Sequence, residues 1–380
     1  SVLSAIIVIS IFVIPIAGIS TNKIEVISSE NRKIFEFPVF SLKKKDYSVF
    51  LSAFSKYLED RLLYRFSLNK ITNKIYRDNL FNGPDGCKNG IAVDGINNWL
   101  FLSWDYYYKQ HTEDVPFDED KEYELVNKIK TIKNIAGVPL FLIVCPDKLS
   151  IYPEYAVKWN GEPGKYRLAD KKIKFLRNNE INVIDNYDLM IKHKSNGLLY
   201  YISDTHWNRY AAYLAFDDNM RFICGNEYQK KHYIFSRFIY KAGDLGKDVP
   251  DYQNNLIYDG VEVELDTYDD ISFTIYKSLD SVYFKGVKKE LSATACENYN
   301  WQRDLYVTYN SNAPINKTLI VFGDSFYNSS SYMQYCEGLF SHVVSMHRSI
   351  IFDASDETIQ QILNKFSPDL IIYETVERDL

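Results

Sequence analysis

Two short blocks of this chain hold the residue types that nucleophilic acyl chemistry needs. Ser325 follows Gly323-Asp324 at the end of the apolar run Leu319-Ile320-Val321-Phe322. His206 stands in Asp204-Thr205-His206-Trp207-Asn208, 119 residues earlier. A serine hydroxyl is a poor nucleophile at its own pKa and needs a base that is itself held by a third group. His206 can take the serine proton, while Asp204 fixes the tautomer of the ring and stabilises its charged form. The D-x-H spacing works only if the backbone between them bends, because a straight strand puts both side chains on one face without joining them. Asp324, adjacent to Ser325, is expected to brace the turn through backbone donors.

These blocks depend on the elements around them. Leu319 to Phe322 reads as a buried parallel strand that ends in a sharp turn at Gly323. The carboxyl ends of such strands are where open α/β sheets place their working residues. The backbone N–H of Ser325 is then a natural oxyanion donor, with Asn328 as a candidate second donor. Leu140 to Val144 is a second such strand, followed by Pro146-Asp147-Lys148 and, shortly after, Tyr152. Lys148 is a candidate to balance negative charge in the cleft and Tyr152 to donate a hydrogen bond there. The alternative is that both stabilise the loop after the strand. Asn208 to Phe222 reads as a helix with Asn208 as its cap. Trp207 either packs beneath His206 or offers an aromatic face to a sugar. Arg378, near the last strand, is expected to form an ion pair within the same domain.

Between these points an α/β rhythm runs from residue 119 to 380. Helices are expected over 119–136, ended by Gly137, and over 169–179, 187–194, 331–340 and 355–366, with strands at 181–185, 342–346 and 370–373. The rhythm stops over 228–311, where alternation at Val261 to Leu265 and nearby predicts a β-rich insertion. This stretch is a lid, a glycan-gripping wall or a structural embellishment. The fold class is therefore α/β with a mostly parallel central sheet. Residues 23–118 read as a helical and loop lead-in packed on that domain, with a helix over 49–76 and a surface loop over 103–118. Residues 2–19 are uncharged and strongly apolar, near the lower length limit for crossing a bilayer. Residues 1–22 are assigned as a signal-anchor or membrane helix, with a cleaved signal peptide or a buried helix as alternatives.

Composition narrows the function classes. The 380 residues carry a net charge of −6 with acids and bases well mixed, so the clustered basic face of a nucleic-acid binder is absent. The 31 tyrosines and 23 phenylalanines suit both core packing and sugar binding. Five cysteines and six histidines are scattered without metal-ligand spacing. No metal site is expected.

The two blocks, in this order, resemble those of the SGNH-hydrolase-like polysaccharide O-acetyltransferases, the group that includes the periplasmic alginate O-acetylation proteins. That family places D-x-H-W well before G-D-S-F, reversed from the ordinary serine esterases of the class. Other landmarks follow in order: Glu30-Asn31-Arg32-Lys33 before Phe37-Pro38; Asp60-Arg61 before Arg65; Asp94-Gly95 before Asn98-Trp99-Leu100-Phe101. Pro146-Asp147-Lys148 then leads to Ile151-Tyr152-Pro153-Glu154, and Pro368 to Glu374 leads to Glu377-Arg378. The resemblance implies an SGNH-like three-layer catalytic domain over 119–380 with rearranged motif order. It implies Ser325, His206 and Asp204 as catalytic residues in acetyl transfer to an exported polysaccharide. No tightly bound cofactor is implied, but an activated acetyl donor is. The implied partners are the polymer, a multipass membrane acyltransferase and the membrane itself, with the domain on the periplasmic or extracellular side. Two rival readings use the same residues: an extracytoplasmic carbohydrate acetylesterase, and an inactive polysaccharide-binding or assembly protein.

Overall fold

The computed structural model describes residues 92–380 except 103–104, 157–161, 241–242, 247–256, 266–270, 277–286, 291–303, 330 and 353, together with 26–27 and 32–33. The chain divides into two compact units, Ser1–Ile91 and Ala92–Leu380. In the first, Val26–Ile27 pairs antiparallel with Arg32–Lys33. The apolar run 2–19 and the helix expected over 49–76 lie outside the described residues. Among the described residues no helix is long and apolar enough to cross a membrane.

The second unit opens with an antiparallel pair, β1 (Ala92–Asp94) and β2 (Leu100–Leu102). Helix α1 (Asp105–Thr112) follows, where the sequence reads as a surface loop. Tyr107, Tyr108, Gln110, His111 and Thr112 of α1 are buried. Three of those five are polar, so apolar periodicity misses the face. Helix α2 (Glu119–Ala136) begins where the Asp118 carboxylate accepts from Lys121 N (3.3 Å) and ends at Gly137, whose φ of 65° favours a residue without Cβ. Then come β3 (Leu140–Cys145), the short α3 (Lys148–Ile151), α4 (Leu168–Asn178), β4 (Val183–Asp185), α5 (Tyr187–His193) and α6 (Arg209–Cys224).

The β-rich stretch divides into two parts. β5 (Tyr233–Tyr240) and β6 (Ile257–Leu265) form an antiparallel hairpin of their own. β7 (Ile271–Tyr276), β8 (Val287–Glu290) and β9 (Leu305–Asn310) join the main sheet instead. The chain continues as β10 (Ile315–Gly323), α7 (Ser325–Ser329), α8 (Tyr332–Leu339), β11 (Phe340–His347), α9 (Arg348–Phe352), α10 (Asp356–Phe366) and β12 (Leu370–Val376).

The main sheet has eight strands in the order β8-β7-β9-β11-β10-β12-β3-β4. The five from β11 to β4 are parallel, and β9, β7 and β8 extend the β11 edge antiparallel. This is the α/β sheet with a parallel centre that the sequence predicts, with antiparallel strands added at one edge. One face is covered by Val126, Ile129 and Ile132 of α2, Ile173 and Leu176 of α4, and Ile359 and Leu363 of α10, which meet Leu142, Val144, Ile320, Phe322 and Ile371. On the other face Phe141 meets Phe222 of α6, and Phe216 of α6 packs on Tyr332 and Tyr335 of α8. Each buried side chain of this size adds about 1.5–3 kcal/mol, so sheet and helices hold each other in place.

Glu337 of α8 is buried with Oε1 lacking a hydrogen-bond partner, and burial pushes its carboxyl up to about 8. The unfolded chain ionises this group at ordinary carboxylate pH, whereas the folded chain keeps it protonated. Its contribution to stability is therefore present at low pH and falls as pH rises toward 8. Glu337→Gln is expected to melt at a temperature close to the wild type at pH 5 and several degrees above it at pH 8.5, measured by differential scanning fluorimetry.

Candidate active site

The sheet positions the site through three neighbouring strands. β12 lies between β10 and β3, with Phe322 opposite Tyr373 and Val376 opposite Cys145. Their carboxyl ends carry Asp324-Ser325, Glu377-Arg378 and Asp147-Lys148. Asp324 joins two of these ends, as expected of a brace. Its Oδ1 accepts from Phe326 N (2.8 Å) and its Oδ2 from Val376 N (2.7 Å). Asp324 N donates to Glu374 Oε2 (2.9 Å), while the Cys145 thiol donates to Oε1 (2.9 Å). Burial and the adjacent Asp324 charge hold the Glu374 carboxyl well above the carboxylate range. The turn that carries Ser325 is thus fixed from beneath by β12, whose Glu374 is held in its turn by Cys145 of β3. Ser325 itself is half-buried at the start of α7.

His206 sits beside the bridge that closes a tight loop. Tyr200 and Trp207 form an antiparallel bridge, and Asn208 N donates to Leu199 O (2.8 Å). The Asn208 side chain accepts from Ala211 N (3.0 Å) and so caps α6, as its position in sequence suggests. The backbone bends as D-x-H requires. Asp204 Oδ1 accepts from His206 Nδ1 (2.6 Å) and from His206 N (3.0 Å). Burial works against the Asp204 charge, but the imidazole and the backbone donors outweigh it and hold this carboxyl far below the carboxylate range. Burial likewise opposes a charged imidazole, yet the Asp204 carboxylate outweighs it and raises the His206 pKa above 6.5.

The serine block and the histidine block meet through Phe326. Its ring lies 5.0 Å from that of His206, and its carbonyl accepts from Trp207 Nε1 (3.0 Å). His206 Nε2 is buried and makes no hydrogen bond, so the Ser325 hydroxyl is not joined to the ring in this conformation. Catalytic hydrogen bonds are often loose before substrate binds and tighten in the complex. The arrangement gathers an imidazole, the carboxylate bonded to it and a half-buried serine near one strand end.

The other residues singled out from sequence are placed differently. Trp207 has no exposed surface and stacks on Tyr332, so it is a core residue with no face open to a sugar. Lys148 is also buried. Its Nζ donates to Leu100 O (2.7 Å), Ile202 O (2.7 Å) and Asp204 O (3.0 Å), three acceptors that match the three donors of an ammonium. It anchors the Asp204 loop rather than lining a cleft. The Tyr152 hydroxyl accepts from Leu199 N (3.1 Å), and its ring packs on Trp99. It braces the segment that leads to His206. Asn328 is one helical turn beyond Ser325 and lines a small cavity with Gly323, Asp324, Met333, Met346 and His347. Arg378 pairs with Asp147, and its guanidinium carbon lies 5.4 Å from the centre of the Phe326 ring.

Two groups escaped the sequence reading. Asp244, in the turn after β5, has Oδ2 3.7 Å from His206 Nδ1. A Gly-Asp pair in a polar stretch gave no spacing signal. The second group is Ser150, His111 and Glu377, which come from three separate elements. Ser150 Oγ donates to Glu377 and lies 3.3 Å from His111 Nδ1, while Arg167 Nε donates to Glu377 Oε2 (2.6 Å). Burial, with Arg167 and Arg378 nearby, pushes His111 down to about 3. This group has the residue types of a triad without its wiring. The acid accepts the serine hydrogen bond directly, so the imidazole does not stand between them, and the imidazole is too weak a base to activate a hydroxyl at neutral pH. Among the described residues, His111 with Asp147 and Glu377, and Asp204 with His206 and Asp244, are close enough to share an ion. In both groups carboxylate oxygens are already engaged by arginine, imidazole or backbone donors.

Residues 92–255 match the family described as "SGNH hydrolase-like domain, acetyltransferase AlgX". Among solved structures, Bacillus cereus PatB1 with a sulfonyl adduct aligns at 14% identity over 77% of this chain and 96% of that one, with a TM-score of 0.52. The O-acetyltransferase domain of Pseudomonas putida AlgJ aligns at 15% identity over 76% and 91%, with a TM-score of 0.46. Pseudomonas aeruginosa AlgX aligns at 16% identity over 81% and 65%, with a TM-score of 0.46. At these identities the likeness concerns the fold. No curated protein matches the sequence.

Proposed function

We propose that this chain, an SGNH hydrolase-like domain similar to the alginate O-acetylation proteins, transfers an acetyl group through Ser325 to hydroxyls of an exported polysaccharide. The observation that supports this best is the Asp204–His206 pair, joined at 2.6 Å, with Phe326, the residue next to Ser325, packed against the imidazole. In the first half-reaction Ser325 Oγ attacks the carbonyl carbon of an acetyl ester and its proton passes to His206 Nε2. The tetrahedral oxyanion is met by the Ser325 backbone N–H. His206 returns the proton to the leaving oxygen, and acetyl-Ser325 remains. In the second half a sugar hydroxyl gives its proton to His206, attacks the acetyl carbon, and leaves as the ester while Ser325 recovers its proton.

The acceptor decides between transfer and hydrolysis, since water in the second half makes an esterase. Transfer is favoured by the family matched over 92–255. The wider setting belongs to the same reading: an activated acetyl donor with no tightly bound cofactor, supplied by a multipass membrane acyltransferase, and a domain held on the periplasmic or extracellular side by an N-terminal membrane segment. The test is to incubate the purified protein with 4-nitrophenyl acetate and candidate oligosaccharides and follow acetyl-enzyme, acetylated sugar and free acetate by mass spectrometry. Acetylated sugar is expected. Acetate alone identifies an esterase, and no acetyl-enzyme overturns the enzymatic reading.

The pH dependence follows from the raised His206 pKa. The base must be neutral, so kcat/KM is expected to fall as pH drops through that pKa, with the acid limb above 6.5. In Asp204→Asn the limb should move to lower pH while kcat falls by roughly 10^4-fold, as loss of a triad acid generally does. A stopped-flow assay of the first half-reaction between pH 5 and 9 measures both.

A further inference from the structure

We infer that the turn Gly243-Asp244-Leu245-Gly246 is a clamp that fixes the acid–base pair, with Asp244 acting as a positioning residue for His206. This rests on the acyl-transfer reading above and names a part of that site outside its motifs. The turn lies between β5 and β6, in the stretch that departs from the α/β rhythm. Its contacts run along one side of the 203–206 loop. Asp244 N donates to Asp204 Oδ2 (3.0 Å), the oxygen that does not meet the imidazole. The Asp244 carboxylate accepts from Thr205 N (2.7 Å) and Thr205 Oγ1 (2.5 Å). Gly243 N donates to Ser203 Oγ (3.1 Å), and Leu245 N and Gly246 N both donate to Ser203 O (3.2 and 2.9 Å). Each of the residues 203, 204 and 205 is therefore tied to the turn, and His206 is held by Asp204.

Gly243 shows how closely the two segments approach. A Cβ there would lie 2.3 Å from Asp204 Cβ, 2.5 Å from Asp204 Oδ2 and 2.6 Å from Ser203 O. None of these is the far end of a flexible chain, so any side chain must push Asp204 or the turn away. With Asp244 N on Oδ2, the Asp204 carboxylate cannot rotate freely about its χ2, and Oδ1 stays aimed at Nδ1. The Asp244 carboxylate adds a second negative charge beside the ring. The charged groups that act on His206 are Asp204 and Asp244, which favour the imidazolium, and Arg378, which opposes it.

The experiment combines a titration with kinetics. The six histidines are labelled at Cε1 and followed by NMR from pH 5 to 9 in the full chain, with His206→Gln identifying the resonance. His206 is expected to titrate at lower pH in Asp244→Asn than in the wild type, because one of its two favourable charges is gone while the backbone donor remains. In the 4-nitrophenyl acetate assay the acid limb of kcat/KM should move down with it, and kcat should fall about 10-fold with KM within twofold. Asp244→Glu should recover part of the shift. Gly243→Ala should cost more than 100-fold in kcat with the melting temperature within a few degrees of the wild type. An unchanged His206 titration in Asp244→Asn, or Gly243→Ala with wild-type kcat, overturns the clamp. The titration needs no turnover, so it judges the clamp even if the protein transfers no acyl group. Conversely, loss of Ser325-dependent acetyl-enzyme with the titration shift intact overturns the catalytic reading alone.

Discussion

Replacing Ser325 with alanine is expected to eliminate acetyl-enzyme and to lower transfer by at least about 10^3-fold, the scale on which loss of a nucleophile acts when the rest of a site survives. The site does survive, because the turn does not depend on this hydroxyl for its known supports. Asp324 holds Phe326 N and Val376 N, Glu374 holds Asp324 N, and Trp207 holds the Phe326 carbonyl. His206→Ala should cost about as much, since a hydroxyl without a base is inert. The decisive comparison is the double variant. Residues that act as a unit are not additive, so Ser325→Ala with His206→Ala should be no slower than either alone, within about threefold. Multiplicative losses in single-turnover kinetics would mean that the two residues serve different steps.

Lys148→Met is expected to destabilise the second unit by roughly 3–5 kcal/mol, the cost of breaking up a buried charged group and its partners. Methionine fills similar space but has no donors, so the carbonyls of Leu100, Ile202 and Asp204 are left buried with one partner fewer. For a unit of this size the melting temperature should fall by roughly 10 °C. Lys148→Arg should not restore it, because a planar fork cannot reach three carbonyls arranged about a tetrahedral ammonium. The same bonds fix the main chain at Asp204, so kcat should drop more than KM rises in whatever fraction stays folded. A Lys148→Met protein that melts within 2 °C of the wild type would remove Lys148 as the anchor of this loop.

Much of the architecture was readable because strong local signals agreed. The Gly137 terminator, the unbroken apolar runs at 140–144 and 319–322, and the asparagine before α6 all appear in the structure with those roles. The α1 helix was hidden because its buried face carries Gln110, His111 and Thr112, partnered by other polar groups rather than by apolar ones. The β-rich stretch was recognised as β, but sequence alternation does not say which sheet a strand joins. Among the described residues three of its strands widen the main sheet, and the other two form the hairpin, with the turn at 243–246 between them in sequence.

Residue types chosen for chemistry fared according to burial. Lys148, Tyr152 and Trp207 lie near the histidine block, and each proved to hold it from inside. Whether a side chain faces a cleft or a core depends on neighbours brought from far along the chain, which spacing does not encode. Asp244 is the opposite case. It has no motif of its own, and only the close approach permitted by Gly243 brings it beside His206.

The place of β12 also bears on how the domain is made. Residues 370–376 come late in the chain yet slot between two strands that begin at residues 140 and 315. Until that segment has emerged, β3 and β10 have no common neighbour, and Asp324 lacks the Val376 amide that it grips. The segment through Val376 must therefore be present before the parallel sheet can close. The turn that carries Ser325 thus gains its full set of supports only when a segment some fifty residues further along has docked.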